Sequence, residues 1–223
     1  PPAAARARAQ RIELLILAAS AGGPATLAAV FASLRAGLDA AGPADLEAAL
    51  IIVQHMPPVF TTPMAQRFAE LVGRPVRVAE QGDAIEPGTM LVAPGGRNLF
   101  VNARRRIELS APAEQPGEYP KIDLALVTAA EVYGPRLCAA IMTGMGRDGT
   151  EGLCHARKLK GLTCIQEPST CVVDGMPSAA WKAGAAEIRL TPDEIGQWAA
   201  QILVHARAPS LEGQPKGRGR SGN

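Results

Sequence analysis

Aromatic residues are scarce in this sequence: two Trp, two Tyr and four Phe among 223 residues. A core must therefore rest on Ala, Leu, Ile and Val. The 47% hydrophobic content supplies enough of these for one α/β domain. Apolar runs long enough to cross a bilayer are missing, which excludes a membrane-spanning helix. No basic–apolar–small pattern opens the chain, so nothing argues for export and the cytoplasm is the expected location. The sequence begins at Pro1 and not at Met, which fits a fragment or a processed chain.

Cysteine is sparse too. Cys138, Cys154, Cys164 and Cys171 show no C-x-x-C spacing. Three of them fall in segments expected to be buried strand or helix, so they read as small hydrophobes in a reducing compartment. A zinc site built from Cys154, His155 and the later cysteines has no defensible ligand spacing. No metal site is expected.

Charge is low and uneven. The formal net charge is +2. Residues 1–11 carry Arg6, Arg8 and Arg11 and no acid, while residues 206–223 carry Arg207, Lys216, Arg218 and Arg220 against Glu212. The body between is mildly acidic, which argues against nucleic acid as the main partner. The basic ends, rich in Ala, Pro and Gly, are expected to be a linker (1–11) and a disordered tail (206–223) around one domain over 12–205.

Strand-like and helix-like patterns alternate along that domain. Residues 13–19 read as a buried strand, followed by a helix with Leu27, Val30, Phe31, Leu34 and Leu38 on one face. Residues 49–53 read as a strand, followed by a helix with Met64, Phe68 and Leu71 on one face. Short strands are expected at 76–79 and 89–93. A hairpin is expected to turn near Ala103–Arg105. Then come a helix at 122–133, a strand at 137–142, a helix from Thr150, a strand at 162–165, a short helix at 178–183, a strand at 186–190 and a helix from Asp193 to His205. The fold class is α/β: a doubly wound, mostly parallel sheet with helices on both faces and an antiparallel hairpin.

Active sites of such sheets gather at the carboxyl ends of strands. Three polar motifs stand there: AASAGG, QHMPP and TGMGRDG. Ser20 sits in a strand-to-helix turn with small neighbours, as nucleophilic serines do. Its ordinary alternative is a helix N-cap. His55 is available as a general base, or is simply a polar residue satisfied at a strand end. Asp148 is placed to orient an imidazole by accepting its Nδ1–H bond, or to cap the next helix from an Asp-Gly turn. TGMGRDG lacks the Lys-Ser/Thr ending of a phosphate-binding loop. The three residues together supply a nucleophile, a base and an orienting acid.

In this order the blocks ASAGGP, IIVQHMPPVFT, GDAIEPGTMLVAPGGRNL, PKIDLALVTAA, AIMTGMGRDGTEGL and IQEPSTCVVDGMPSAAWKAGAAE resemble the catalytic domain of the chemotaxis protein-glutamate methylesterases, from about Ile12 to about Ile202. The resemblance implies a catalytic triad of Ser20, His55 and Asp148, with the backbone N–H groups of Met145 and Ala21 forming the oxyanion hole. It implies removal of methyl esters from glutamate side chains on the cytoplasmic helices of chemoreceptors, and in many members deamidation of receptor glutamines. It implies no metal or organic cofactor. The implied partners are methylated receptor helices and a receiver domain, in cis or in trans. Three departures stand out: Ala21 replaces the usual Thr, Asn98 replaces the usual His of its block, and only a short Ala/Arg-rich stretch precedes the domain. Two other readings remain at this level: a triad hydrolase acting on a different ester or amide, and a non-catalytic binding module of the same fold.

Overall fold

Six consecutive residues, Leu14–Ala19, are apolar, and the computed structural model buries all of them in a central strand, β1. The structure describes residues 11–42, 45–114 and 117–205. The expected linker and tail at the two ends therefore lie outside the described residues, except for Arg11.

After β1 the chain forms α1 (Gly23–Ala41), β2 (Ala49–Gln54), α2 (Thr61–Val72), β3 (Arg77–Val78) and β4 (Met90–Val92). The hairpin β5 (Leu99–Val101) and β6 (Ile107–Leu109) follows, then α3 (Ile122–Tyr133) and β7 (Leu137–Ile141). The rest is α4 (Thr150–Lys158), β8 (Leu162–Gln166), α5 (Gly175–Lys182), β9 (Ile188–Leu190) and α6 (Pro192–His205). Seven strands form one sheet in the order β3-β4-β2-β1-β7-β8-β9, and every neighbouring pair is parallel. The expected hairpin is present as a separate two-stranded antiparallel sheet pairing Leu99 with Leu109 and Val101 with Ile107.

The alternation of side chains along β1 divides the core. Leu15, Leu17 and Ala19 face one layer with α1, α2 and α6, where Phe31 stacks on Phe68 with ring centroids 4.4 Å apart. Leu14, Ile16 and Ala18 face the other layer with α3, α4, α5 and the hairpin. Each fully buried Leu, Ile or Phe contributes about 1.5–3 kcal/mol relative to an exposed one. A strand buried on both faces must be apolar throughout, which is what makes β1, β2 and β7 so plain in the sequence.

From β1 the chain passes to β2, crosses to the edge strand β3, returns with β4 between β3 and β2, and then starts β7 on the other side of β1. The crevice at the carboxyl ends of β1 and β7 is thus a topological switch point, the usual ligand position in open α/β sheets.

Two local expectations are corrected. The buried face of α2 is Thr61, Ala65, Phe68 and Val72, with Met64 and Leu71 only half-buried beside it. The Thr61 hydroxyl on that face accepts the Gly95 N–H at 2.9 Å. Helix α5 begins at Gly175, three residues before the expected start, because Pro177 lies in its first turn, where its missing N–H costs nothing.

Candidate active site

Ser20 follows the last residue of β1, and its N–H donates to the Thr143 carbonyl at 2.9 Å, extending the β1–β7 pairing by one step. The next residues must bend the chain into α1. Gly22 does so at φ 79°, and a Cβ there would come within 2.5 Å of the Val172 Cβ. Gly22 is the N-cap of α1, so Ser20 is not a helix cap.

His55 follows β2, the strand next to β1, and its N–H donates to the Ala19 carbonyl at 3.1 Å. Its side chain is only 6% exposed. Nδ1 lies 3.0 Å from Ser20 Oγ, and Nε2 lies 2.8 Å from Asp148 Oδ2. The expectation that Asp148 takes the Nδ1–H is therefore corrected: it takes Nε2–H. The topology gives the reason. Ser20 is on the adjacent strand, within reach of the near ring nitrogen, whereas Asp148 follows β7, two strands away, and is met by the far one.

Asp148 is held on both oxygens. Oδ2 also accepts the Ile122 N–H at 2.9 Å, and Oδ1 accepts the N–H groups of Asp123 and Gly149, each at 3.0 Å. Burial alone would raise this carboxyl. The His55 hydrogen bond and the backbone donors of Asp123 and Ile122 outweigh it and hold the group well below the usual carboxylate range. Asp148 therefore caps α3, not the helix that follows it. An ionised carboxylate has no proton to give, so Nε2 carries the hydrogen and Nδ1 is left to accept from Ser20 Oγ–H. Asp123, beside it, is raised by burial, offset by the Gly152 N–H and reinforced by the Asp148 charge.

No acceptor among the described residues takes the N–H of Ala21 or of Met145. The flanking groups are fixed instead. Thr143 Oγ1 donates to the Ala21 carbonyl at 2.9 Å, and Gln166 Oε1 accepts the Thr143 N–H at 2.9 Å. Gly144 packs against Ser20, where a Cβ would stand 2.8 Å from the serine Cβ. Asn98 Oδ1 accepts the Lys121 N–H at 2.9 Å and so anchors the approach to α3.

A cavity of about 570 Å³ opens beside His55, walled by Pro57, Pro58, Pro112 and Tyr119, with Glu114 and Glu118 at its side. Around the same edge of the sheet Val59, Phe60, Met145 and Val172 are exposed apolar side chains. Among the described residues no group of three or more His, Cys, Asp or Glu stands where it could hold a metal ion, so Cys154 and His155 belong to no such cluster. No described helix is long and apolar enough to cross a membrane.

Sequence reasoning missed Gln54, Asp123, Thr143 and Gln166. Each lies at a strand end or helix start beside the site, and each has at least one partner far along the chain. The only local signal was polarity at the end of an apolar strand or the start of a helix.

A hydroxyl, an imidazole and a carboxylate in series, at the carboxyl edge of a doubly wound sheet, are the arrangement of the α/β serine hydrolases. Residues 15–199 match the model of the CheB methylesterase family. The chain is 41% identical over 173 residues to the protein-glutamate methylesterase/protein-glutamine glutaminase of Symbiobacterium thermophilum, covering 78% of this chain and 46% of that protein. It is 38% identical over 182 residues to the protein of the same name from Pyrococcus horikoshii, covering 80% and 47%. The crystal structure of the Thermotoga maritima CheB methylesterase catalytic domain superposes with a TM-score of 0.74 at 30% identity, covering 86% of this chain and 99% of that one. The chain belongs to the CheB methylesterase family. It spans about half the length of the curated relatives it matches.

Proposed function

We propose that the chain hydrolyses methyl esters of glutamate side chains and deamidates glutamines of proteins, the two activities in the names of its relatives, and that its substrates are chemoreceptor helices. The observation that carries this reading is the continuous hydrogen-bonded series from Ser20 Oγ through the His55 ring to Asp148.

In this reading Ser20 Oγ attacks the ester carbonyl while His55 Nδ1 takes its proton. The carbonyl oxygen becomes an oxyanion facing the N–H groups of Ala21 and Met145. Asp148 stabilises the imidazolium through Nε2–H. The tetrahedral intermediate collapses, the imidazolium returns the proton to the departing methoxide, and methanol leaves. A water then attacks the glutamyl ester of Ser20, again with His55 as base, and glutamate is released. For a glutamine substrate the same steps expel ammonia.

Ala21 in place of Thr fits this mechanism, because the backbone N–H is the group required. The exposed apolar side chains Val59, Phe60, Met145 and Val172 suit an amphipathic helix presenting the ester. We propose the cytoplasm as the location, residues 12–205 as the self-sufficient unit, and a receiver domain, in cis or in trans, as the regulator.

Methanol release from a methylated receptor fragment is the test. Release by the wild type and none by Ser20→Ala supports the reading. Labelling of Ser20 by a fluorophosphonate without methanol release points to a different ester or amide. No labelling at all points to a binding module.

A further inference from the structure

Gln54 is the last residue of β2 and is 2% exposed. A polar side chain at such a position needs partners, and this one spends its single amide nitrogen on two. Nε2 donates to the Ser20 carbonyl at 2.9 Å and to the His55 carbonyl at 2.9 Å. The amide orientation is fixed by this pair, since the reverse would set Oε1 against two carbonyl oxygens. Oε1 is buried without a hydrogen-bond partner among the described residues. Room for it exists because residue 23 is glycine: a Cβ there would overlap Oε1.

The Ser20 carbonyl has a second donor, the Gly23 N–H at 2.8 Å. Two donors on one carbonyl fix the plane of the Ser20–Ala21 peptide. In a trans peptide the N–H points opposite to the C=O. The same bonds that hold the Ser20 carbonyl toward Gln54 therefore aim the Ala21 N–H away from it. The other bond holds the backbone of the base.

We propose that Gln54 is a positioning residue of the active site: one buried amide that ties the nucleophile's peptide to the base's peptide and thereby aims the Ala21 N–H. It touches no substrate. The proposal rests on the reading of Ser20 as nucleophile. Its signature is a loss of kcat without a loss of substrate binding, because displacements of about 1 Å at reacting groups cost up to about 10²-fold in rate.

The test uses Gln54→Met, which keeps the volume and removes both donors. It is read by p-nitrophenyl acetate hydrolysis and by the rate at which a fluorophosphonate labels Ser20. Leu38→Ala, far along α1, serves as a control for lost stability alone. The expected result is a folded Gln54→Met enzyme with kcat and labelling rate down about 10- to 100-fold and KM within about twofold. The control should show a lowered Tm with kcat kept. If Gln54→Met does not fold, Gln54→Leu also lacks both donors, in a shorter apolar side chain. Wild-type kcat in either folded variant overturns the proposal. Should neither fold, the side-chain amide protons of wild-type Gln54 decide by NMR: slow exchange and a shift on phosphonylation of Ser20 support it, and fast-exchanging, unmoved signals overturn it. Failure of the wild type to label at all would instead overturn the nucleophile reading.

Discussion

Asp148 and Asp123 cap each other's helices. The Asp148 carboxylate takes the first two N–H groups of α3, those of Ile122 and Asp123. The Asp123 carboxylate in turn takes the Gly152 N–H in the first turn of α4, the helix that follows Asp148, at 2.7 Å. Each carboxylate sits at the positive end of a helix dipole. The exchange locks the loop that carries Asp148 to the helix facing it, so the orienting acid is part of the scaffold.

Removing one half of this exchange should weaken the fold and leave the chemistry in place. Asp123→Ala should lose about 1 kcal/mol, the usual worth of a helix cap. Asp123→Asn keeps an acceptor oxygen and should lose less. Urea denaturation of the two variants checks the order, and equal stability of Asp123→Ala and wild type would contradict it.

The two acids should respond to pH with opposite signs. Asp148 is held below its ordinary value, so its contribution is present above the unfolded-state value of ~3.9 and is lost as pH falls below that. Asp123 is raised by burial, so its ionisation opposes folding at neutral pH and that cost is relieved in acid. Asp148→Asn should therefore flatten the acid loss of Tm, and Asp123→Asn should steepen it. Tm measured from pH 7 to pH 3 reads both slopes, and parallel curves for all three proteins would refute the assignment.

The oxyanion hole is tested at Ala21. Ala21→Gly keeps the N–H and should keep substantial activity. Ala21→Pro removes it and should lower kcat about 10²–10³-fold. Proline is tolerated near a helix start, and circular dichroism of the variant checks that the fold survives before the kinetics are compared. A folded Ala21→Pro enzyme with normal kcat would remove Ala21 from the hole and leave Met145.

Much of this was readable from sequence because the sheet is buried on both faces. β1, β2 and β7 had to be continuous apolar runs, and α3 was read at its observed bounds of 122–133. Ser20 and His55 stood out as polar residues directly after such strands, and Asp148 stood out in the glycine-rich TGMGRDG turn that follows β7. What escaped was long-range pairing. That His55 meets Asp148 through Nε2 depends on the strand order, which places Ser20 between them. That Asp148 caps α3 and not α4 depends on where α3 returns across the sheet. Gln54 was passed over as the first residue of the QHMPP motif, since nothing local shows that its amide reaches two carbonyls.

Residues 12–205 should fold and act without the segments on either side. A chain cut to those residues is expected to keep its Tm and its esterase activity, read by thermal melting and p-nitrophenyl acetate hydrolysis. Loss of either would show that an end belongs to the folded unit.

The central claim is that Ser20 carries the acyl group. Mass spectrometry of the intact chain after fluorophosphonate treatment, compared among wild type, Ser20→Ala and His55→Gln, tests it most directly. The account predicts one adduct on Ser20 in the wild type, none in Ser20→Ala, and labelling slowed by orders of magnitude in His55→Gln. An adduct of equal yield in Ser20→Ala, or equal labelling rates in His55→Gln and wild type, would contradict it.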